Sequence, residues 1–243
     1  MEIMTSSLLL GLADSNGWQS DMLETWYFDT PDHCLQQTRM SYRIRREGGR
    51  WVATVKGGGS SNGGLHQRQE WNVVVPSNKP DVAVFADTPV GSTLHRTVGN
   101  RPLIPLVATR FERFTLNIKS SEGSLIEVAA DRGEIIAGDQ TAPILELELE
   151  LKDGQPVALL KLGAALAREY PLVVGLSSKY QRALQLAGLA PADTEQQIGN
   201  IRLRQEMLNH IHFLLGAQES FHHAGGDTRM SVPLLLELWS ILI

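Results

Sequence analysis

In Ile144-Leu145-Glu146-Leu147-Glu148-Leu149-Glu150-Leu151 the side chains alternate strictly between apolar and acidic from Leu145 onward, a period of two that only an extended strand converts into two distinct faces. Glu146, Glu148 and Glu150 then share one face, with about 7 Å between successive carboxylates. On an exposed strand, water would solvate that face. On an enclosed one, the repulsion has to be offset by basic side chains or a divalent cation. The remainder of the chain decides between the two.

Other segments supply basic counterparts. Arg43 and Arg45 lie two apart in a β-rich run, so both guanidinium groups face one way while Tyr42 and Ile44 face the other. Paired guanidinium groups suit phosphate oxygens, which they bind bidentately. Lys56 ends the next strand pattern, His66, Arg68 and Glu70 share a face of the following one, Arg113 sits in a later run, and Glu127 and Asp131 alternate through Val128 and Ala130. A surface arginine pair or a lone lysine taken singly reads as a solvated face. Together these residues describe several strands that each devote one face to charges of both signs and the other to leucine, valine, isoleucine or aromatics. The usual apolar interior of a small barrel is thereby inverted, as in a sheet that curls around a charged tunnel.

Turn residues divide the chain from Glu24 to Leu151 into an antiparallel β protein. Strands are predicted at Glu24–Asp29, Met40–Glu47, Arg50–Lys56, Leu65–Val75, Val107–Lys119, Ser124–Arg132, Glu134–Ala137 and Ile144–Lys152, with hairpin turns at Gly48-Gly49 and Asp131-Arg132-Gly133. The glycine-rich run Gly57–Gly64 has no lysine after its last glycine and no helix pattern behind it, so it reads as a flexible hairpin loop, not a phosphate loop. Beyond the acidic strand the period becomes helical at Pro156–Glu169 and Lys179–Leu189, two helices expected to cover the apolar outer face. The fold class is α+β: a closed or nearly closed antiparallel barrel with flanking helices and a short C-terminal helical appendage. Residues 1–190 would form the tunnel domain and 194–243 the appendage.

Composition narrows the partners. A net charge of −5 and a pI near 5.8 argue against a nucleic-acid coat. Cys34 is the only cysteine, which excludes an intrachain disulfide and fits a reducing cytoplasm. The short apolar run Leu8–Ala13 lacks the basic start of a signal peptide, and Val232–Ile243 is too short to span a bilayer, so no membrane partner is expected.

The ordered set Tyr27-Phe28-Asp29-Thr30-Pro31, Tyr42-Arg43-Ile44-Arg45, Ala53-Thr54-Val55-Lys56, Gly64-Leu65-His66-Gln67-Arg68-Gln69-Glu70, Ile126–Gly133, Glu146-Leu147-Glu148-Leu149-Glu150 and Leu176-Ser177-Ser178-Lys179 resembles the CYTH domain family, the triphosphate tunnel metalloenzymes. Within it, the likeness is greatest to the bacterial inorganic triphosphatases that join CYTH to a helical CHAD domain, of which 194–243 would be an opening fragment. The resemblance covers residues 24–189 and implies an eight-stranded tunnel holding a linear triphosphate, inorganic or of a nucleoside, and Mg²⁺ or Mn²⁺. It implies that Arg43, Arg45, Lys56, Arg68, Arg113 and Lys179 hold phosphate oxygens, with Lys56, Arg113 and Lys179 acting in catalysis. It implies further that Glu146 and Glu148 ligate metal, that Glu70 and Asp131 complete the metal shell or orient the basic residues, and that Glu127 and Glu150 play supporting parts.

One departure stands out. The family's first strand carries Glu-x-Glu-x-Lys, whereas Met1-Glu2-Ile3-Met4-Thr5-Ser6 matches it only at Glu2. Residues Ile3–Ala13 are expected to be the helix that follows that strand, and the strand itself to be absent. Three functions are therefore expected in order: metal-dependent triphosphate hydrolysis, triphosphate binding without turnover, and another CYTH activity such as adenylate cyclase or thiamine triphosphatase.

Overall fold

The acidic alternation lies in β7, Gln140–Asp153, the last strand of a seven-stranded antiparallel sheet in a computed structural model. The structure describes residues 1–14, 16–62, 65–172, 175 and 177–191, and the side chains of 58–68 lie outside that description. The expected appendage at 194–243 falls outside the described residues.

The other strands are β1 Gln19–Asp29, β2 Ser41–Glu47, β3 Arg50–Asn62, β4 Leu65–Val75, β5 Ile104–Lys119 and β6 Leu125–Ala137. Their spatial order is β4-β3-β2-β1-β5-β6-β7, so among the described residues β4 and β7 end the sheet and the tunnel is nearly closed, with seven strands there where the family resemblance implied eight. Glu2–Thr5 is a single 3-10 turn and Ser7–Leu12 a short helix, α1, in agreement with the helical expectation for this segment. Ser6 caps α1 by accepting from the Leu9 amide.

Register explains the separation of faces. Tyr27 pairs with Arg43 and Thr25 with Arg45 and Thr109, while Arg113 pairs with Asp131 and Asp131 with Glu146, so these side chains all point to one side. The opposite side is apolar and divided in two. Trp26, Phe28, Tyr42, Ile44, Ala53 and Val55 pack beneath α2 (Cys34–Gln37), a 3-10 turn at Val82–Phe85 and α3 (Gly91–Val98). Leu116, Ile118, Ile126 and Val128 pack beneath α1 and α4 (Pro156–Glu169), which presents Ala158, Leu162 and Leu166 at intervals of four. Pro156 opens α4 where a proline costs no intrahelical hydrogen bond.

Three expectations are corrected. Gly48 and Gly49 do form the two-residue hairpin turn, with φ of 49° and 84° as the primed turn requires, but Asp131-Arg132-Gly133 is no turn. The strand predicted to break there runs on from Leu125 to Ala137. A Cβ on Gly133 would lie 2.2 Å from the Arg110 carbonyl oxygen and 2.4 Å from Phe111 Cα, so the glycine serves a close strand contact. Gly133→Ala is accordingly expected to destabilise the fold by about 1–3 kcal/mol or more, as overpacking does, read as a lowered urea midpoint at unchanged m-value.

Second, the run Gly57–Gly64 is largely strand: β3 extends to Asn62 with a register shift between Gly57 and Gly59. Third, α5 (Lys179–Leu186) does not cover the apolar outer face. Ala183 packs on Leu23, Tyr27, Phe111, Ile135 and Ile144, all on the side of the sheet that carries the charges. Tyr180 stacks on Tyr27 with ring centroids 4.7 Å apart. This seats α5 on the charged face, with its first residue inside the charge cluster.

A charged face with a cationic half and a carboxylate half

Lys179 follows the helix cap Ser178, whose hydroxyl oxygen accepts from the Gln181 amide. A cation in the first turn of a helix opposes the macrodipole and needs compensation. Three carboxylates supply it: Lys179 Nζ lies 2.5 Å from Glu146 Oε2, 2.7 Å from Glu148 Oε1 and 2.8 Å from Asp131 Oδ2. Asp131 is fully buried and also receives two hydrogen bonds from Arg113, Nε to Oδ1 and Nη2 to Oδ2, each at 2.7 Å. Arg113 Nη2 reaches Glu148 Oε2 at 2.5 Å as well.

The pKa shifts follow from this geometry. Burial alone would raise the Glu148 carboxyl, but the Lys179 and Arg113 charges outweigh it and hold the group at about 2, well below its usual 4.5. Burial likewise opposes charge on Lys179 and on Arg113, and their carboxylate partners overcome it in both cases, raising both. All three groups are ionised at neutral pH.

The β2–β4 half carries the opposite balance. Arg45 is buried, with Nε donating to Thr25 Oγ1 at 3.0 Å, Nη1 3.3 Å from Glu47 Oε1, and its guanidinium 5.9 Å from the Phe111 ring centroid. Burial, and then the Arg43 charge, depress its pKa to about 10. Lys56 is lowered by the same two causes despite its 2.6 Å ion pair with Glu70. Arg43 shares Glu70 at 3.4 Å, and its Nε is buried with no hydrogen-bond partner. Three cations thus share two carboxylates among the described residues, a surplus of positive charge next to the cluster of Asp131, Glu146 and Glu148, whose three carboxylates are matched by Arg113, Lys179 and Arg182.

Asp131, Glu146 and Glu148 come together, each offering an oxygen within 4.8 Å of the others. Arg113 and Lys179 border that cluster, and Arg43, Arg45 and Lys56 gather in the other half. Glu70 stands apart from the carboxylate trio, holding Lys56 and Arg43. Glu127 and Glu150 are also separate, both paired with Lys152 at 3.3 and 3.0 Å. The Arg68 side chain lies outside the described residues, although its backbone pairs with Gly59 on β3.

Sequence reasoning missed Arg182. It lies one helical turn beyond Lys179, contacts Glu146 Oε1 through Nη1 and donates through Nη2 to the Pro143 carbonyl at 2.7 Å. The spacing of three from a helical lysine was the available signal.

Comparison with known proteins places this face in a family context. The CYTH domain model matches residues 15–184. The inorganic triphosphatase of Haemophilus influenzae is 33% identical over 173 residues, which are 69% of this chain and 47% of that protein, so the chain spans about half the length of that relative. Among solved structures, the Hippeastrum protein HpAC1, described as an adenylyl cyclase with a dominant triphosphatase activity, superposes with a TM-score of 0.54 at 17% identity, covering 78% of this chain and 91% of that one. At that identity the likeness shows the fold. No helix among the described residues is long and apolar enough to cross a membrane.

Proposed function

Since the chain belongs to the CYTH domain family, we propose that it hydrolyses inorganic triphosphate to pyrophosphate and orthophosphate with Mg²⁺ or Mn²⁺ bound at Asp131, Glu146 and Glu148. The observation that carries this reading is the division of one sheet face into a half with surplus cations and a half with clustered carboxylates. A linear triphosphate complements that division, since its oxyanions satisfy the first half and share a divalent ion with the second. The donor set fits such an ion, because three hard carboxylate oxygens already surround a cation, the Lys179 ammonium group.

In this reading Arg43, Arg45 and Lys56, joined by Arg68, grip phosphate oxygens, and the unpartnered Arg43 Nε finds its acceptor there. Arg113 and Lys179 neutralise the group being transferred. Glu70 orients Lys56 and Arg43, while Glu127 and Glu150 fix Lys152 beyond them. Phosphoryl transfer depends mostly on such positioning and charge compensation. The divalent ion, when bound, supplies Lewis acidity and an activated water. Residues 1–190 form the catalytic unit, and a single buried cysteine fits a cytoplasmic location.

The activity named for the Haemophilus relative supports this substrate. A second reading, triphosphate or nucleoside triphosphate binding without turnover, is favoured by the sheet ending, among the described residues, at β4 and β7 with no strand paired to their outer edges. The two separate on one assay. Orthophosphate release from tripolyphosphate with Mg²⁺ or Mn²⁺, and none with chelator, supports hydrolysis. Calorimetric binding without release would overturn it in favour of the binding module.

A further inference from the structure

Lys179 and Arg182 both reach Glu146 from α5 but are held in different ways. Lys179 Nζ is surrounded by the three clustered carboxylates, at 2.5–2.8 Å. It is a compact point charge on a flexible stem, and these are the same oxygens a divalent ion would need. An ammonium group and a divalent cation repel one another and compete for the same lone pairs, so the cluster holds one or the other. Arg182 approaches Glu146 through the opposite oxygen, Oε1, and is tied to the β7 backbone by its 2.7 Å bond to the Pro143 carbonyl. Nothing in that arrangement has to move when the far side of Glu146 changes partner.

We infer that Lys179 is an exchangeable occupant of the carboxylate cluster, displaced when a divalent ion binds and then free to pair with a phosphate oxygen, whereas Arg182 is a fixed positioning residue that keeps Glu146 aimed at the cluster. The inference rests on the cluster being the metal site. It makes metal binding and triphosphate binding cooperative: the ion alone must evict Lys179, while a bound triphosphate offers the evicted ammonium a new partner, and coupling of this kind is reciprocal.

The test is calorimetric titration with Mn²⁺ alone of the unaltered chain and of the Lys179→Met, Arg182→Met and Arg182→Lys variants, with folding confirmed by circular dichroism. Lys179→Met is expected to bind Mn²⁺ about tenfold more tightly than the unaltered chain. Arg182→Met is expected to bind it several-fold more weakly, with partial rescue by Arg182→Lys. Equal or weaker binding by Lys179→Met overturns the exchange, and loss of affinity in Arg182→Met without rescue by lysine overturns the positioning role. If no form binds Mn²⁺, the metal reading itself fails and the inference with it. A measurement free of substitutions accompanies these: acetylation of Lys179 by an amine reagent, followed by mass spectrometry, should accelerate several-fold on saturation with Mn²⁺, and an unchanged rate contradicts displacement.

Discussion

Replacing Arg45 with methionine is expected to weaken tripolyphosphate binding by roughly two orders of magnitude while leaving the unliganded protein as stable as before, or more stable. The binding loss follows from removing charge-assisted hydrogen bonds, worth about 1.5–3 kcal/mol each. The stability result follows from the cost of the free state. Arg45 is buried with one hydroxyl partner and a 3.3 Å contact to a partly exposed glutamate, and burial has already depressed its pKa to about 10. A methionine fills the space of the Arg45 stem and removes a poorly compensated charge, losing only the 5.9 Å contact of the guanidinium with the Phe111 ring and the Thr25 hydrogen bond. Calorimetry and urea denaturation on the same preparation check both halves. A large loss of stability would mean that Arg45 is a structural cation and not one poised for an anion.

Asp131→Ala is expected to produce the opposite balance. Asp131 is fully buried and holds Arg113 through both oxygens and Lys179 through one. Removing one member of a buried ionic cluster leaves its partners uncompensated and costs about 3–5 kcal/mol, a large part of the roughly 5–15 kcal/mol that holds a typical domain together. Urea unfolding should show this as a midpoint shift. The double variant Asp131→Ala with Arg113→Met should recover part of the loss, because it removes an orphaned charge along with its partner. Full additivity of the two losses would show that the pair is not coupled in the folded state.

The charged face was legible in the sequence because strand periodicity leaves no choice of side. Once residues 144–151 are a strand, Glu146, Glu148 and Glu150 must face together, and the same argument places Arg43 with Arg45 and Glu127 with Asp131. Helix Pro156–Glu169 was legible to its ends, with a proline at its start and an apolar stripe along it. Four features were not. Gly133 carries the same letter whether it makes a turn or a close contact, and only the Phe111 strand across from it decides. Helix α5 resembles α4 in its spacing, yet the two lie on opposite sides of the sheet. The clue was the lysine at its first position, unfavourable for the dipole unless carboxylates await it. Helix α3 was overlooked because its stripe of Val90, Leu94 and Val98 is short and enclosed by proline, glycine and asparagine. Arg182 became visible only when α5 was seated against β7.

The most direct test of the divided face is phosphorus NMR of tripolyphosphate incubated with the protein and Mg²⁺. The terminal and central tripolyphosphate signals should decay while pyrophosphate and orthophosphate grow in equal amounts, chelator should stop the change, and Glu148→Gln should slow it by roughly a hundredfold or more, as loss of a charge-compensating group does. Tripolyphosphate that stays intact with folded protein and excess Mg²⁺, or hydrolysis that proceeds unchanged in Glu148→Gln, would contradict the account.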